Sequence, residues 1–524
     1  MRRWLIGTGL IAAMCVLALG LAWVSNRWQN LRGWEGFFAA ILLGAALLFG
    51  MWKLTQRECE ARLPLRLGWL LLGAVALRLA AGIFWVIALP VWGYDTPVQR
   101  AGYPMEDAYN RDQEAWKLAA SDAPLWTAFH GQYVSDQYGG VLFLSAAVYR
   151  YLGGSTHQPL LMVIISVAFS ALAILFTWEF TRRVWDERSA WVAAWILALY
   201  PEAVLLSSTP MREAYFMTLG AAAFFGLASY LQASKRSGLA WVAGALVLSL
   251  PISPPFTALL IGALAITALW VKKWRFLRQR WLWGLLIGLA GLGIMGVWLS
   301  WRRLAPVQVT NPLALIGWWF ERALQWQTYL TERASGWIQA IFRSTPEWLH
   351  PLIVLGYGVV QPFLPAALVA TGAPLWRGVA IWRAVGWTGL LALLLYVPFK
   401  AWRGVKTKGW ERALSLVVWA LIVIAALRGG GDQWDNPRYR AALAPIQVAL
   451  ASWAWIAPRK TSDPWLRRAV VSLGLILLWF LPWYLRRYTP LQWPVVDLFK
   501  TIGLGLATAV LYVIWDWSGT KSDP

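Results

Sequence analysis

The chain has 524 residues, of which 59% are hydrophobic and only 14% are charged. About a quarter of the residues of a soluble protein are charged, so this composition excludes a soluble fold and predicts a helical membrane protein. The net charge of +22 does not indicate a nucleic-acid partner, because the Lys and Arg residues lie mostly in short clusters between apolar segments, where they orient membrane proteins.

Apolar segments that are long enough to cross a hydrocarbon core of about 30 Å as helices recur along the whole chain. The positive-inside rule places seven basic clusters in the cytoplasm, on alternate loops. The clusters lie at residues 2–3, 53–66, 182–188, 235–236, 272–280, 400–412 and 459–468. We therefore predict an all-α, multi-pass protein of the cell membrane with about 14 transmembrane helices and both termini in the cytoplasm. The predicted spans cover residues 4–24, 36–52, 67–91, 158–181, 189–207, 214–232, 238–251, 255–271, 281–300, 384–400, 413–428, 440–457, 468–485 and 498–516.

Residues 350–374 are apolar enough for a further span, but counting them would move the basic cluster at 400–412 to the outer face. Their prolines also argue against one continuous helix. We predict an interfacial or re-entrant segment on the outer face. The predicted organisation is two extra N-terminal spans (1–66), a transmembrane core (67–456) and C-terminal spans (457–524). The core contains an acidic outer loop at 93–137 and a long outer loop at 301–383.

The acidic loop at 93–137 contains seven of the chain's 25 carboxylates. Within it, Glu106 and Asp107 begin a segment in which Ala115 and Leu118 follow at helical spacing, which predicts a helix on the membrane surface. An acid in the first turn of such a helix is stabilised by the helix dipole and held at a fixed height, as a general base for a hydroxyl requires. The alternative is an acidic loop that only solvates this helix.

Glu213 follows a helix-start signal, with Thr209 predicted as the N-cap and Pro210 as the first helical residue. This places Glu213 in the first turn, just below the outer interface. The alternative is an acid that balances the helix dipole and pairs with Arg212.

Two arginine pairs are candidates for binding a lipid phosphate at the outer face, because guanidinium groups match phosphate oxygens. Arg438 and Arg440 introduce a late span, and Arg302 and Arg303 follow the ninth predicted span. The alternative is ordinary anchoring to headgroups.

The three histidines match no metal-binding motif and are interpreted as interfacial hydrogen-bonding groups. The chain has no phosphate-binding glycine loop and no dinucleotide fingerprint. No cofactor is predicted, and a divalent cation stays open.

In their order, these features resemble the GT-C glycosyltransferases, which include protein O-mannosyltransferases, aminoarabinose transferases and the bacterial RgtA/B/C/D-like group. The resemblance covers about residues 67–456 and is carried by the acid in the first large outer loop and by three later segments. Arg111 departs from the family pattern, in which a Tyr often stands four residues after the first acid. The paired acids also read Glu106-Asp107 instead of Asp-Glu, so either of them can be the base. The three segments are DQYGGVLFLSAAVYRYLGGSTHQPLL, ALYPEAVLLSSTPMREAYFMTLG and PRYRAALAP.

The resemblance implies an enzyme that transfers a sugar from a polyprenyl-phosphate donor to a glycan, lipid or protein acceptor at the outer face of the bilayer. It implies that Asp107 deprotonates the acceptor with support from Glu106, and that Glu213 orients acceptor or donor. It also implies that Arg438 and Arg440 hold the leaving phosphate. Two alternatives stay open: a polysaccharide polymerase or ligase that uses a diphosphate-linked glycan, and a lipid or glycan transporter without enzymatic activity. Transporters favour internal repeats and polar groups at mid-membrane.

Overall fold

The computed structural model describes residues 2–60, 62–130, 135–272, 336–403, 409–461 and 463–519, together with residues 291, 311, 314, 317 and 318. Within these residues, ten helices are long and apolar enough to cross a membrane, or up to 12 spans if each of two bent helix pairs counts as one. The prediction of an all-α, multi-pass membrane protein is confirmed. Apart from residue 291, the predicted span at 281–300 lies outside the described residues. The predicted span at 238–251 is a helix of only 13 residues.

The helices up to residue 272 include both long apolar helices and short polar ones. In chain order they are α1 (Arg2–Ser25), α2 (Trp34–Cys59), α3 (Leu65–Trp92), α4 (Pro97–Arg100), α5 (Glu106–Ala120), α6 (Gly140–Leu152), α7 (Leu160–Val184), α8 (Glu187–Leu199), α9 (Pro201–Ser207), α10 (Arg212–Ala233), α11 (Ser237–Ser249) and α12 (Pro254–Lys272), with a 3₁₀ helix at Leu125–Phe129.

The later helices begin at residue 336. They are α13 (Gly336–Ser344), α14 (His350–Val360), α15 (Leu364–Val369), α16 (Pro374–Arg403), α17 (Gly409–Gly429), α18 (Asp435–Ala441), α19 (Ala444–Thr461), α20 (Trp465–Tyr488) and α21 (Leu498–Gly519), with a 3₁₀ helix at Glu347–Leu349. The prediction that 350–374 is not one continuous helix is confirmed, since α14 and α15 are separate short helices. The span predicted at 384–400 begins ten residues earlier, at Pro374, because proline is well suited to the first turn of a helix.

The chain divides into two compact units, the first made of Met1–Leu264, Phe363–Val397 and Ala441–Pro524, the second of Ala265–Pro362 and Pro398–Arg440. In the first unit, α7 and α10 pack against each other and are buried along nearly their whole length. Their sequences are apolar on all sides, as expected for helices enclosed by other helices. The boundaries predicted at residues 66 and 456 remain predictions.

The span predicted at 189–207 is broken in two, and α8 and α9 meet at an angle of 52°. Pro201 has no N–H, so the Leu197 carbonyl four residues earlier lacks its usual helical donor. Arg78, fully buried in the middle of α3, supplies one: its Nη2 donates to the Leu197 carbonyl at 3.3 Å, and its Nη1 donates to Ser170 Oγ at 3.0 Å. The break is therefore stabilised from the neighbouring helices.

A buried ion pair holds the other side of this break. Arg383 of α16 donates through Nε and Nη2 to the two carboxylate oxygens of Glu202, at 2.8 and 3.3 Å. Both side chains are almost completely buried. Together with Arg78, this pair fixes the direction in which α9 leads into the turn before α10.

Candidate active site

The helix α5 follows α4 and precedes α6 in the chain, and it has one buried and one exposed face. Its buried residues recur with the spacing of a helix, which confirms that Ala115 and Leu118 share one helical face, and its first turn carries Glu106 and Asp107 as predicted. Glu106 is exposed and Asp107 is half-buried. The buried residues are Ala108, Arg111, Asp112, Ala115, Leu118 and Ala119.

A cavity of about 570 Å³ lies along the exposed face of α5. We call it the α5 cavity. Glu106 and Asp107 both line it, as does Arg212 from the start of α10. Glu213, next in the chain, is instead buried, with 4% of its surface exposed. The structure therefore brings the two predicted acids of α5 together with Arg212, which the sequence indicates only as a partner of Glu213. The lining residues are Glu106, Asp107, Tyr109, Asn110, Gln113, Glu114, Lys117, Ser135, Gln137 and Arg212.

The start of α10 differs from the prediction by two residues. The N-cap is Met211 and the helix begins at Arg212, so the prediction of Thr209 as N-cap and Pro210 as first helical residue is wrong. The Thr209 hydroxyl donates backwards to the Leu205 carbonyl of α9 at 3.4 Å, so it is used at the end of one helix instead of the start of the next. Glu213 nevertheless lies in the first turn of α10, as predicted.

Arg111 connects α5 to the turn before α10 and to the start of α6. This buried side chain donates through Nη1 to the Pro210 carbonyl at 3.1 Å, and its Nε lies 3.7 Å from Asp136 Oδ2. Asp136 in turn accepts from the Leu142 N–H in the first turn of α6 at 3.0 Å. Burial lowers the pKa of Arg111 below its ordinary value, while the Asp136 carboxylate opposes that shift. Arg111 therefore fixes the first turn of α5 relative to Arg212.

Asp112 anchors the buried face of α5. It accepts hydrogen bonds from the Tyr103 hydroxyl at 2.5 Å and from the Tyr149 hydroxyl, and it lies 2.7 Å from His157 Nε2. The His157 ring also stacks on Trp116 of α5, with the ring centroids 5.3 Å apart. Burial, and then the charge of Asp112, raise the pKa of Tyr103 and of Tyr149 well above the ordinary tyrosine value. Nothing in the sequence indicated that these distant residues meet.

The C-terminal end of α5 is closed by Arg150 of α6. Its guanidinium donates to the carbonyls of Leu118, Ala119, Ser121 and Ala123, at distances between 2.6 and 3.2 Å. The last carbonyls of a helix have no intrahelical donor, so a cation that reaches several of them stabilises the helix end. The helix that carries the two acids is thus held at both ends and along its buried face.

The predicted phosphate-binding arginines of the second unit lie on the short helix α18. Arg438 lies 3.6 Å from Asp435 Oδ1, and its guanidinium is 5.5 Å from the centroid of the Tyr439 ring. Arg440 is buried, and its Nη2 donates to the Gln361 carbonyl at 2.8 Å. Phosphate binding by Arg438 and Arg440 stays a prediction, and Arg302 and Arg303 lie outside the described residues.

The described residues include no group of three or more His, Cys, Asp or Glu side chains that is arranged to hold a metal ion. The part of the chain that the structure describes therefore offers no cluster of side-chain ligands for a divalent cation. The α5 cavity instead offers carboxylates beside two cations, Lys117 and Arg212. Such an arrangement suits proton transfer and recognition of an anionic group.

No protein-family model and no curated protein matches the chain. Among solved structures, the chain is similar to the archaeal oligosaccharyltransferase AglB from Archaeoglobus fulgidus in complex with an inhibitory peptide and a dolichol-phosphate, with 14% identity and a TM-score of 0.35 over 84% of this chain and 56% of that chain. It is also similar to the apo form of the A. fulgidus oligosaccharyltransferase, with 15% identity and a TM-score of 0.33 over 84% and 56% of the two chains. The chain thus spans little more than half the length of these proteins. Similarities of this size assign neither a family nor a function.

Proposed function

We propose that this protein is a membrane glycosyltransferase of the GT-C type, which moves a sugar from a polyprenyl-phosphate donor to an acceptor at the extracytoplasmic face of the membrane. The observation that carries the proposal is the α5 cavity, in which Glu106 and Asp107 from the first turn of a surface helix meet Arg212 from the start of α10. A carboxylate that acts as a base on the acceptor and a cation that stabilises the leaving group are the two groups that this reaction requires.

Asp107 is proposed as the general base. It takes the proton of the acceptor hydroxyl while the hydroxyl oxygen attacks the anomeric carbon of the donor sugar. The bond between that carbon and the phosphate oxygen breaks, and polyprenyl phosphate leaves with the electron pair, so a single displacement inverts the anomeric centre. Glu106 supports the base or replaces it, and Glu213, buried in the first turn of α10, orients the groups around it.

The leaving phosphate needs cations, because negative charge develops on its oxygen as the bond breaks. Arg212 lines the α5 cavity, and we therefore propose it as one of the cations that stabilise the leaving phosphate. Arg438 and Arg440, with Arg302 and Arg303, remain the phosphate-binding groups proposed from the sequence.

The transporter alternative depends on polar groups within the membrane. Arg78 and the Glu202–Arg383 pair are such groups, but they bind a carbonyl, a hydroxyl and each other at the α8–α9 break. Their contacts explain them as structural groups, whereas Glu106, Asp107 and Arg212 line a cavity of about 570 Å³ that can hold a ligand. This difference favours an enzyme over a transporter.

The test is turnover of radiolabelled polyprenyl-phosphate sugars by the purified protein in nanodiscs. We expect wild type to release polyprenyl phosphate and Asp107→Asn to do so roughly 10²–10⁴-fold more slowly, as for loss of a general base. Asp122→Asn is the matched control, because Asp122 is an exposed acid just beyond α5. Full activity in both Asp107→Asn and Glu106→Gln would contradict the assigned base. Release only from diphosphate-linked glycans would favour the polymerase or ligase, and loss of turnover with EDTA would identify a divalent cation.

A further inference from the structure

A second cavity, of about 650 Å³, lies between α3 and α8 of the first unit. We call it the α3–α8 groove. Its lining residues repeat at intervals of three and four along each helix, so each helix contributes one continuous face. They are Arg66, Trp69, Leu70, Gly73, Ala74 and Leu77 on α3, and Trp191, Trp195, Ala198 and Leu199 on α8.

The groove combines small residues with large apolar ones. A Cβ atom placed on Gly73 would meet no other atom within 4 Å, so the groove is open at that position. Trp69 and Trp195 are 67% and 53% exposed, and both line the groove. Apolar side chains around open space on two helices of the membrane-spanning region offer a hydrocarbon chain a place to bind.

Arg66 is the charged residue of the lining, and it stands at one end of the groove. It is exposed and forms no ion pair with any carboxylate in the described ranges. At the start of α8, Arg188 is exposed and Glu187 accepts from the Trp191 indole N–H at 3.3 Å. A cation at the end of an apolar groove, beside indole rings that favour the headgroup region, is complementary to an anionic lipid headgroup.

The length of the groove fits one leaflet. Arg66 and Leu77 are 11 residues apart, which corresponds to about 17 Å along a helix. This is about half of a hydrocarbon core of about 30 Å. A phospholipid acyl chain matches that length, whereas a polyprenyl chain is much longer.

The groove and the contact with the turn before α10 lie on different halves of α3. Trp85 of α3 donates from Nε1 to Ser208 Oγ at 2.8 Å, in the turn that leads to Arg212. Trp85 follows Arg66 by 19 residues, or about 28 Å along the helix. Arg66 therefore lies near the membrane face opposite to the turn that leads to the α5 cavity.

We propose that the α3–α8 groove binds one glycerophospholipid of the leaflet opposite to the α5 cavity. Its phosphate contacts Arg66, and one acyl chain lies along Gly73 and Ala198 between the indoles. The proposal does not depend on the enzymatic activity, since it rests on the shape and charge of this surface alone.

Native mass spectrometry of the purified full-length protein, titrated with dioleoylphosphatidylglycerol in detergent, tests the site. We expect wild type to retain one lipid and Gly73→Leu to lose it, because the new side chain fills the groove. Gly50→Leu is the matched control, since a Cβ on Gly50 of α2 also meets no atom within 4 Å. Arg66→Gln should weaken binding roughly fivefold, as expected for the loss of one cation near the headgroups.

Equal lipid retention by wild type, Gly73→Leu and Arg66→Gln would overturn the proposal, because it would indicate lipids bound anywhere on the membrane surface. Displacement of the bound lipid by an equimolar amount of undecaprenyl phosphate would overturn it as well, since the groove would then belong to the polyprenyl donor. Leucine has a higher helix propensity than glycine, so Gly73→Leu should not unfold α3. Arg66→Gln, at an exposed position, provides a second test that does not depend on packing.

Discussion

Two successive turns of α5 carry charged residues in opposite settings. In the first turn, Glu106 and Asp107 line the α5 cavity, the site of the proposed reaction. In the second turn, Arg111 and Asp112 are each 1% exposed and bind groups of the surrounding elements. All four side chains are charged, and only five positions separate each residue of the first pair from its counterpart in the second. The difference teaches that the surroundings of a charge, buried contacts or an open cavity, distinguish a structural group from a candidate site residue.

The largest expected effect on stability is at Asp112. Asp112→Ala leaves the Tyr103 and Tyr149 hydroxyls and the His157 ring without their acceptor inside the protein, so the free energy of unfolding should fall by about 3 kcal/mol or more. Thermal unfolding in detergent measures this. Asp122→Ala, at an exposed position, is the control and should change stability by less than about 0.5 kcal/mol. Equal midpoints for the two variants would show that Asp112 is not an anchor, and the contrast between the turns would be lost.

A smaller effect is expected at the buried cation of α3. Arg78→Met removes the donor of the Leu197 carbonyl, at a cost of about 1–3 kcal/mol. Pro201→Ala restores an N–H four residues after Leu197, so Arg78→Met should be less damaging in the Pro201→Ala background. A double-mutant cycle on thermal stability measures this coupling, expected at about 0.5–3 kcal/mol. Strictly additive effects would show that Arg78 does not compensate for the proline.

The smallest effect is expected for the exposed pair of Asp95 and Arg100, whose Oδ1 and Nε atoms are 2.5 Å apart. Arg100 lowers the pKa of Asp95, so any stabilisation is present above the ordinary aspartate pKa and lost as the pH falls below it. Both side chains are mostly exposed, and solvent screens their attraction. Arg100→Gln should therefore leave the unfolding midpoint unchanged at pH 7 and at pH 3. A clear drop at pH 7 that disappears at pH 3 would show that exposed charges also hold this loop.

The sequence predicted the features that depend on composition and on the spacing of apolar residues along a helix. Long apolar runs predicted most of the spans, and the spacing around Asp107 predicted α5 and the acids in its first turn. Such patterns show which face of a helix is buried, but they do not show which residues meet across helices. Asp112 and His157 are 45 residues apart, and Arg78 and Leu197 are 119 apart. Nothing local to either residue specifies the other.

The errors at α9 and α10 have a local cause. Thr209 and Pro210 carry a valid helix-start signal, but the Thr209 hydroxyl already bonds to the preceding helix. Pro201 is a local signal for the break between α8 and α9, but the apolar residues on both sides of it predicted one continuous span. Hydrophobicity alone does not register a missing N–H, so the bend and the cation that stabilises it were both unforeseen.

The position of Arg78 also has a consequence for how the protein is made. Arg78 lies at the centre of a 28-residue helix of high mean hydropathy, and its partners Ser170 and Leu197 follow it by 92 and 119 residues. During synthesis, α3 reaches the membrane long before α7 and α8 exist. Placing an arginine at the centre of an inserting helix costs about 2.5–3.5 kcal/mol at the translocon, which the leucine-rich remainder of α3 must offset. The guanidinium of Arg78 in the nascent chain therefore lacks its protein partners in the bilayer until α7 and α8 insert. Once they have inserted, the same guanidinium binds Ser170 and the Leu197 carbonyl and holds α3 against both helices.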